Sequence, residues 1–82
     1  MKVVHYTADG ARALKRHANM AARIMTVVQE YARGDGAHAN QVIALKGSSA
    51  LRLRVGDFRV IFEETETTLT ITAVGPRSNI YD

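Results

Sequence analysis

The sequence contains no cysteine, so neither disulfides nor thiolate-bound metals can supplement its core. That absence suits a reducing cytoplasm. Long apolar runs are missing too. The longest uninterrupted stretch, Val42 to Leu45, is far short of a bilayer span. The N-terminus, Met1-Lys2-Val3-Val4-His5-Tyr6, has a basic side chain but no signal-peptide core. A soluble, cytoplasmic protein with no membrane partner is expected. His5, His17 and His38 are scattered, with no carboxylate or cysteine at ligand spacing, which argues against a metal centre. No serine occupies a nucleophile elbow, and no glycine-rich loop precedes a helix to cradle phosphate. Neither a metal nor another cofactor is expected.

What is present suits one modest core. Eighty-two residues predict a single domain over 1–82. The chain is 46% hydrophobic and 23% charged, an ordinary globular balance. Net charge is +3 and the pI about 9.7, which favours an acidic partner. Residues 1–43 carry six Lys/Arg against three Asp/Glu, and residues 44–82 carry five of each. A cation cluster in the second half must therefore arise from geometry.

Lys2 to Tyr6 reads as a first strand. Thr7 is a candidate cap for a helix to about His17, weakened by Gly10, which costs about 1 kcal/mol against alanine. A stronger helix from about Met20 to Arg33, with Asn19 as candidate cap, aligns Met20, Ile24, Val27, Val28 and Tyr31 in one stripe. Met20 and Met25 read as packing residues. Arg33 and Gly34 end that helix with a cation and a glycine. Gly34-Asp35-Gly36 opens a loop, and Ser48 and Ser49 read as turn residues after Gly47. Further strands are predicted at Gln41–Leu45, Leu51–Val55, Phe58–Phe62 and Thr68–Val74, with a turn at Thr65–Thr67. Alternation in the last strand puts Leu69, Ile71 and Ala73 on one face and Thr70 and Thr72 on the other. Two helices covering one face of a β-meander is the natural assembly.

Glycine at the first central position suggests that Gly56-Asp57 is a two-residue type II′ turn. Val55 then lies opposite Phe58, and the register follows. Arg54 pairs with Arg59, Leu53 with Val60, Arg52 with Ile61 and Leu51 with Phe62. Leu51, Leu53, Val55, Phe58, Val60 and Phe62 share a face that must meet the helices, while Arg52, Arg54 and Arg59 share the other. Like charges directly opposite in a sheet are unfavourable by up to about 1 kcal/mol, so folding alone gives no reason to stack them. The competing explanation is an ordinary solvated face, neutralised by Glu63, Glu64 and Glu66. Glu63, the best placed of these, lies four residues along the strand from Arg59. At about 3.4 Å per residue, most of the cluster stays uncovered. Guanidinium forks onto phosphate oxygens and stacks on bases, whereas lysine is a point charge. The row therefore suits an RNA or DNA backbone.

Leu45-Lys46-Gly47, then Leu51 through Phe62, then Val74-Gly75-Pro76-Arg77 with Ile80-Tyr81, resemble in order the linked motifs of the RelE branch of the RelE/ParE superfamily. The match spans residues 42–82 in detail, and the preceding strand and helices agree in order and length. The resemblance implies an α+β fold, with two N-terminal helices packed on one face of a twisted, mostly antiparallel sheet. It implies a type II toxin–antitoxin toxin that cleaves mRNA in the ribosomal A site without metal, by 2′-OH attack on the adjacent phosphate. It also implies a hetero-oligomer with a cognate antitoxin. Arg52 and Arg54 match the basic strand residues that hold the mRNA backbone, and Lys46 joins them as RNA-binding. Arg59 matches the phosphate-stabilising arginine. Arg77 and Tyr81 match a C-terminal arginine and tyrosine implicated in proton transfer and orientation.

Three departures bear on catalysis more than on fold or binding. Pro76 stands where many relatives carry histidine or lysine, Arg52 and Arg54 stand where some active members use lysine, and Asp82 directly follows Tyr81. The tyrosine fits equally a base and a packing aromatic. Two other readings stay open: a ParE-like, non-enzymatic inhibitor of DNA gyrase, and a degenerate toxin that keeps only antitoxin binding.

Overall fold

A computed structural model describes residues 1–77 and orders the elements as β1 (Val3–Tyr6), α1 (Ala8–Arg16), α2 (Ala18–Ala32), a 3-10 turn (Ala39–Gln41), β2 (Val42–Ala44), β3 (Leu51–Val55), β4 (Phe58–Glu64) and β5 (Thr68–Pro76). The strands form one sheet in the order β1-β5-β4-β3-β2. Only β1–β5 is parallel, and the other pairs are antiparallel. The two helices pack on one face, and the expected α+β architecture is the one observed. No helix among the described residues is long and apolar enough to cross a membrane.

The entry to α1 is local chemistry tied to the sheet. Thr7 Oγ1 accepts from Gly10 N at 3.0 Å, while Thr7 N donates to Ile71 O at 3.0 Å. Gly10 is therefore no weakness. A Cβ there would lie 2.5 Å from Ile71 O, so α1 can approach β5 only through a residue without a side chain. Gly10→Ala is accordingly expected to destabilise the fold despite alanine's helix propensity. The clash with backbone and the disturbed Thr7–Ile71 bond should together cost about 1–3 kcal/mol. A urea midpoint equal to or above wild type would overturn this.

The second helix starts earlier than its sequence suggests. His17 ends α1, its N–H reaching Ala13 O and Leu14 O at 3.2 Å, and opens α2 by accepting from Met20 N at 2.9 Å. Its ring meets Phe58 edge-on, with centroids 5.0 Å apart. This tertiary contact fixes the junction, so Asn19 lies inside the first turn of α2 and is not its cap. The expected stripe packs as predicted. Ile24 and Val28 are buried, and Met20, Val27 and Tyr31 lie against the core. Met25 is an exception, 46% exposed, because one residue past Ile24 points off the stripe. Arg33 caps α2, and Gly34 follows with φ of 77°.

Inside the sheet, Leu53, Val55, Val60, Phe62, Leu69, Ile71 and Val74 form the buried layer beneath the helices. Ala73 is not among them, which corrects the simple alternation of β5. Phe62 pairs with Ile71 but Ile61 with Ala73, so Thr72 is an extra, bulged residue. Its Oγ1 donates to Ile61 O at 3.3 Å. Beyond it the phase inverts: Val74 turns inward opposite Val60, and Ala73 and Gly75 turn outward.

At the C-terminal end of β4, Glu64 accepts from Lys2 Nζ at 2.7 Å and from Tyr31 OH at 3.0 Å. Burial first, then the Glu64 hydrogen bond and charge, push the Tyr31 phenol up to about 12. A raised folded pKa contributes stability that is complete below the unfolded value of 10.0 and lost as pH rises toward about 12. Tyr31→Phe should thus flatten the alkaline limb of a stability–pH profile, leaving the part from Tyr6, whose phenol burial also raises. An unchanged limb would sink the assignment.

Candidate nucleic-acid interface

The site is built on the β3–β4 hairpin. Gly56 has φ of 59°, and Asp57 is not among the positive-φ residues, which matches a type II′ turn. The register is the expected one: Val55 faces Phe58, Arg54 faces Arg59, Leu53 faces Val60, Arg52 faces Ile61 and Leu51 faces Phe62. Arg52, Arg54 and Arg59 therefore share the sheet face away from the helices. The neighbouring strands complete two cross-sheet rows on that face. One runs Arg54, Arg59, Gly75, and the other Ile43, Arg52, Ile61, Ala73.

These arginines are not equivalent. Arg54 is exposed, Arg52 is half-buried, and Arg59 is only 8% exposed. Arg59 stands on β4, the middle strand of five, beside the buried Gly75, which has no side chain to compete for space. Sequence alone made the arginine row a uniformly exposed surface. The strand order makes it graded, with one cation near the centre of the sheet and another at its rim.

The glutamates divide as well. Glu63 is on the arginine face, opposite Thr70. Glu64 faces the helix side with Lys2 and Tyr31, and Glu66 is exposed in the β4–β5 turn. Among the described residues Arg54 and Arg77 make no ion pair within 4 Å, whereas Lys2, Arg12 and Arg33 pair with Glu64, Asp9 and Asp35.

Arg77 is exposed, and its N–H donates to Asp57 O at 2.8 Å, which brings it to the hairpin end of the arginine row. Lys46 is exposed in the β2–β3 turn, at the far end of β3 from Gly56. Tyr81 lies outside the described residues.

No protein-family model and no curated protein sequence matches the chain. Solved structures do. A chain of the RelB–RelE antitoxin–toxin complex from Methanococcus jannaschii superposes with a TM-score of 0.72 at 23% identity, covering 95% of both chains. YafQ from Escherichia coli superposes at 0.68 and 14% identity, with 100% of both chains covered. The fold is that of RelE and YafQ. A chain of the RelBE2 toxin–antitoxin complex from Mycobacterium tuberculosis agrees, at 0.62 and 23% identity over 93% of this chain and 98% of that one. Within the RelE/YafQ fold, identities this low leave most side chains different, so what the arginines can do rests on their own geometry.

Proposed function

We propose that this protein is the toxin of a type II toxin–antitoxin pair and cleaves ribosome-bound mRNA without a metal ion. The observation that carries the reading is the graded arginine row, with Arg59 buried at the centre of the sheet opposite Arg54. In the reaction the RNA's own 2′-oxygen attacks the adjacent phosphorus and the bond to the 5′-oxygen breaks. The products are a 2′,3′-cyclic phosphate and a 5′-hydroxyl. Negative charge builds on the phosphoryl oxygens in the transition state, and preorganised cations there supply the largest single contribution to rate.

Arg59 is the group assigned to that charge. Arg52, Arg54 and Lys46 hold the RNA backbone, and Arg77 adds electrostatic stabilisation, because a guanidinium does not readily release a proton. Tyr81 is assigned the proton transfer. The partner is an antitoxin with an acidic and apolar segment that folds on binding, a reading supported by the antitoxin complexes solved for this fold.

Purified protein added to programmed ribosomes should cut mRNA in the A site and leave cyclic phosphate ends. Tyr81→Phe should slow cleavage strongly if the tyrosine moves the proton, and unchanged cleavage would remove it from that role. Growth arrest with intact mRNA and inhibited gyrase would replace the enzyme by a gyrase inhibitor.

A further inference from the structure

We infer that Arg23, on α2, belongs to the same RNA-binding surface and carries the bound strand around the hairpin tip onto the helix layer. This rests on the reading of the arginine row as an RNA interface. The helices cover the opposite side of the sheet, yet the Arg23 guanidinium reaches the β3–β4 turn. Its Nη1, Nη2 and Cζ lie 3.6, 3.7 and 3.8 Å from the position of a Cβ built on Gly56. The Nη1–Nη2 end of the guanidinium thus lies against the turn at ordinary contact distance. Arg23 is exposed, so a ligand can reach its guanidinium from the solvent side. Gly56 itself is required by its φ of 59°.

The same end of the molecule gathers Arg54 and Arg59 one pair from the turn, and Arg77 across from Asp57. Neither Arg23, Arg54 nor Arg77 makes an ion pair within 4 Å among the described residues, although Asp57 sits among them. Elsewhere Arg12, Arg33 and Lys2 are each paired with a carboxylate. The convergence of Arg23, Arg54 and Arg77 at one end of the molecule, with no ion pair among the described residues, fits a polyanion track. A single strand can follow such a track over an edge, because its backbone bends where a duplex would not.

The test is binding of a single-stranded RNA oligonucleotide as a function of salt. Each backbone contact contributes about 0.7 to the slope of log affinity against log salt. Arg23→Gln should reduce the slope by about 0.7, so that affinity falls about 2- to 3-fold less than wild type between roughly 50 and 200 mM salt. Arg23→Lys should restore the slope, and thermal melts should show both variants folded. Arg12→Gln removes the same charge from a paired site and should leave the slope unchanged. If Arg54→Gln lowers the slope and Arg23→Gln does not, the inference fails and the RNA interface stands. If Arg12→Gln acts as strongly as Arg23→Gln, the effect is net charge and the inference is wrong. If wild type binds no RNA, or neither arginine changes the slope, the RNA interface fails and Arg23 goes with it.

Discussion

Arg59→Ala is expected to slow cleavage of ribosome-bound mRNA by about 10²–10³-fold, the usual cost of removing one preorganised donor from a developing oxyanion. Affinity for the RNA should change far less. The asymmetry follows from position. Arg59 is 8% exposed on the middle strand, where screening is weak and a fixed cation acts strongly on charge a few ångströms away. That charge appears fully only in the transition state, so the loss falls on rate and not on ground-state binding. Arg54 stands opposite but exposed, and Arg54→Ala should behave in reverse, weakening binding and its salt dependence with little change in the single-turnover rate. Arg59→Lys keeps the charge but loses the fork and should fall between wild type and alanine. Single-turnover kinetics on programmed ribosomes separate the two quantities. Equal losses of rate and affinity in Arg59→Ala would demote Arg59 to a backbone contact.

Much of this site was legible in the sequence because a two-residue turn leaves no freedom of register. Once Gly56-Asp57 is the turn, the Arg54–Arg59 pair follows, as does the division of the hairpin into an apolar and a cationic face. What the sequence could not show depended on partner strands. The bulge at Thr72 exists only relative to β4. Without it Val74 would stand beside Arg59 and Gly75 beside Phe58, so the inserted residue is what puts a glycine next to the central cation. The burial of Arg59 likewise needs the strand order, in which β4 lies in the middle although it is the fourth strand in sequence. For the same reason sequence makes Gly10 a weak point and starts the second helix near Met20 and not just after His17. Each is set by a neighbour distant in sequence: Ile71 O for one and the Phe58 ring for the other.

Phe62→Ala should act by a different route, through stability, and the contrast with Arg59→Ala is informative because both residues stand on β4 and face opposite ways. Phe62 is 0% exposed, pairs with Ile71 at the bulge and meets Tyr31 edge-on with centroids 5.5 Å apart. Removing its ring forfeits burial and leaves a cavity that neighbours on a hydrogen-bonded sheet cannot close, at a cost of about 3–5 kcal/mol. A chain of this length has about 4–12 kcal/mol of stability in all, so Phe62→Ala should lose a large share of it and raise the unfolded population by orders of magnitude. The loss propagates, since Tyr31 holds Glu64 and Glu64 holds Lys2. In urea the midpoint should fall sharply while the dependence on denaturant stays close to wild type, as for a two-state change in stability alone. Arg54→Ala, exposed on the other face, should move that midpoint by no more than about 0.5 kcal/mol equivalent. A Phe62→Ala protein with a near-native midpoint would mean that the core does not close over the sheet as described, and the burial gradient among the arginines would lose its basis.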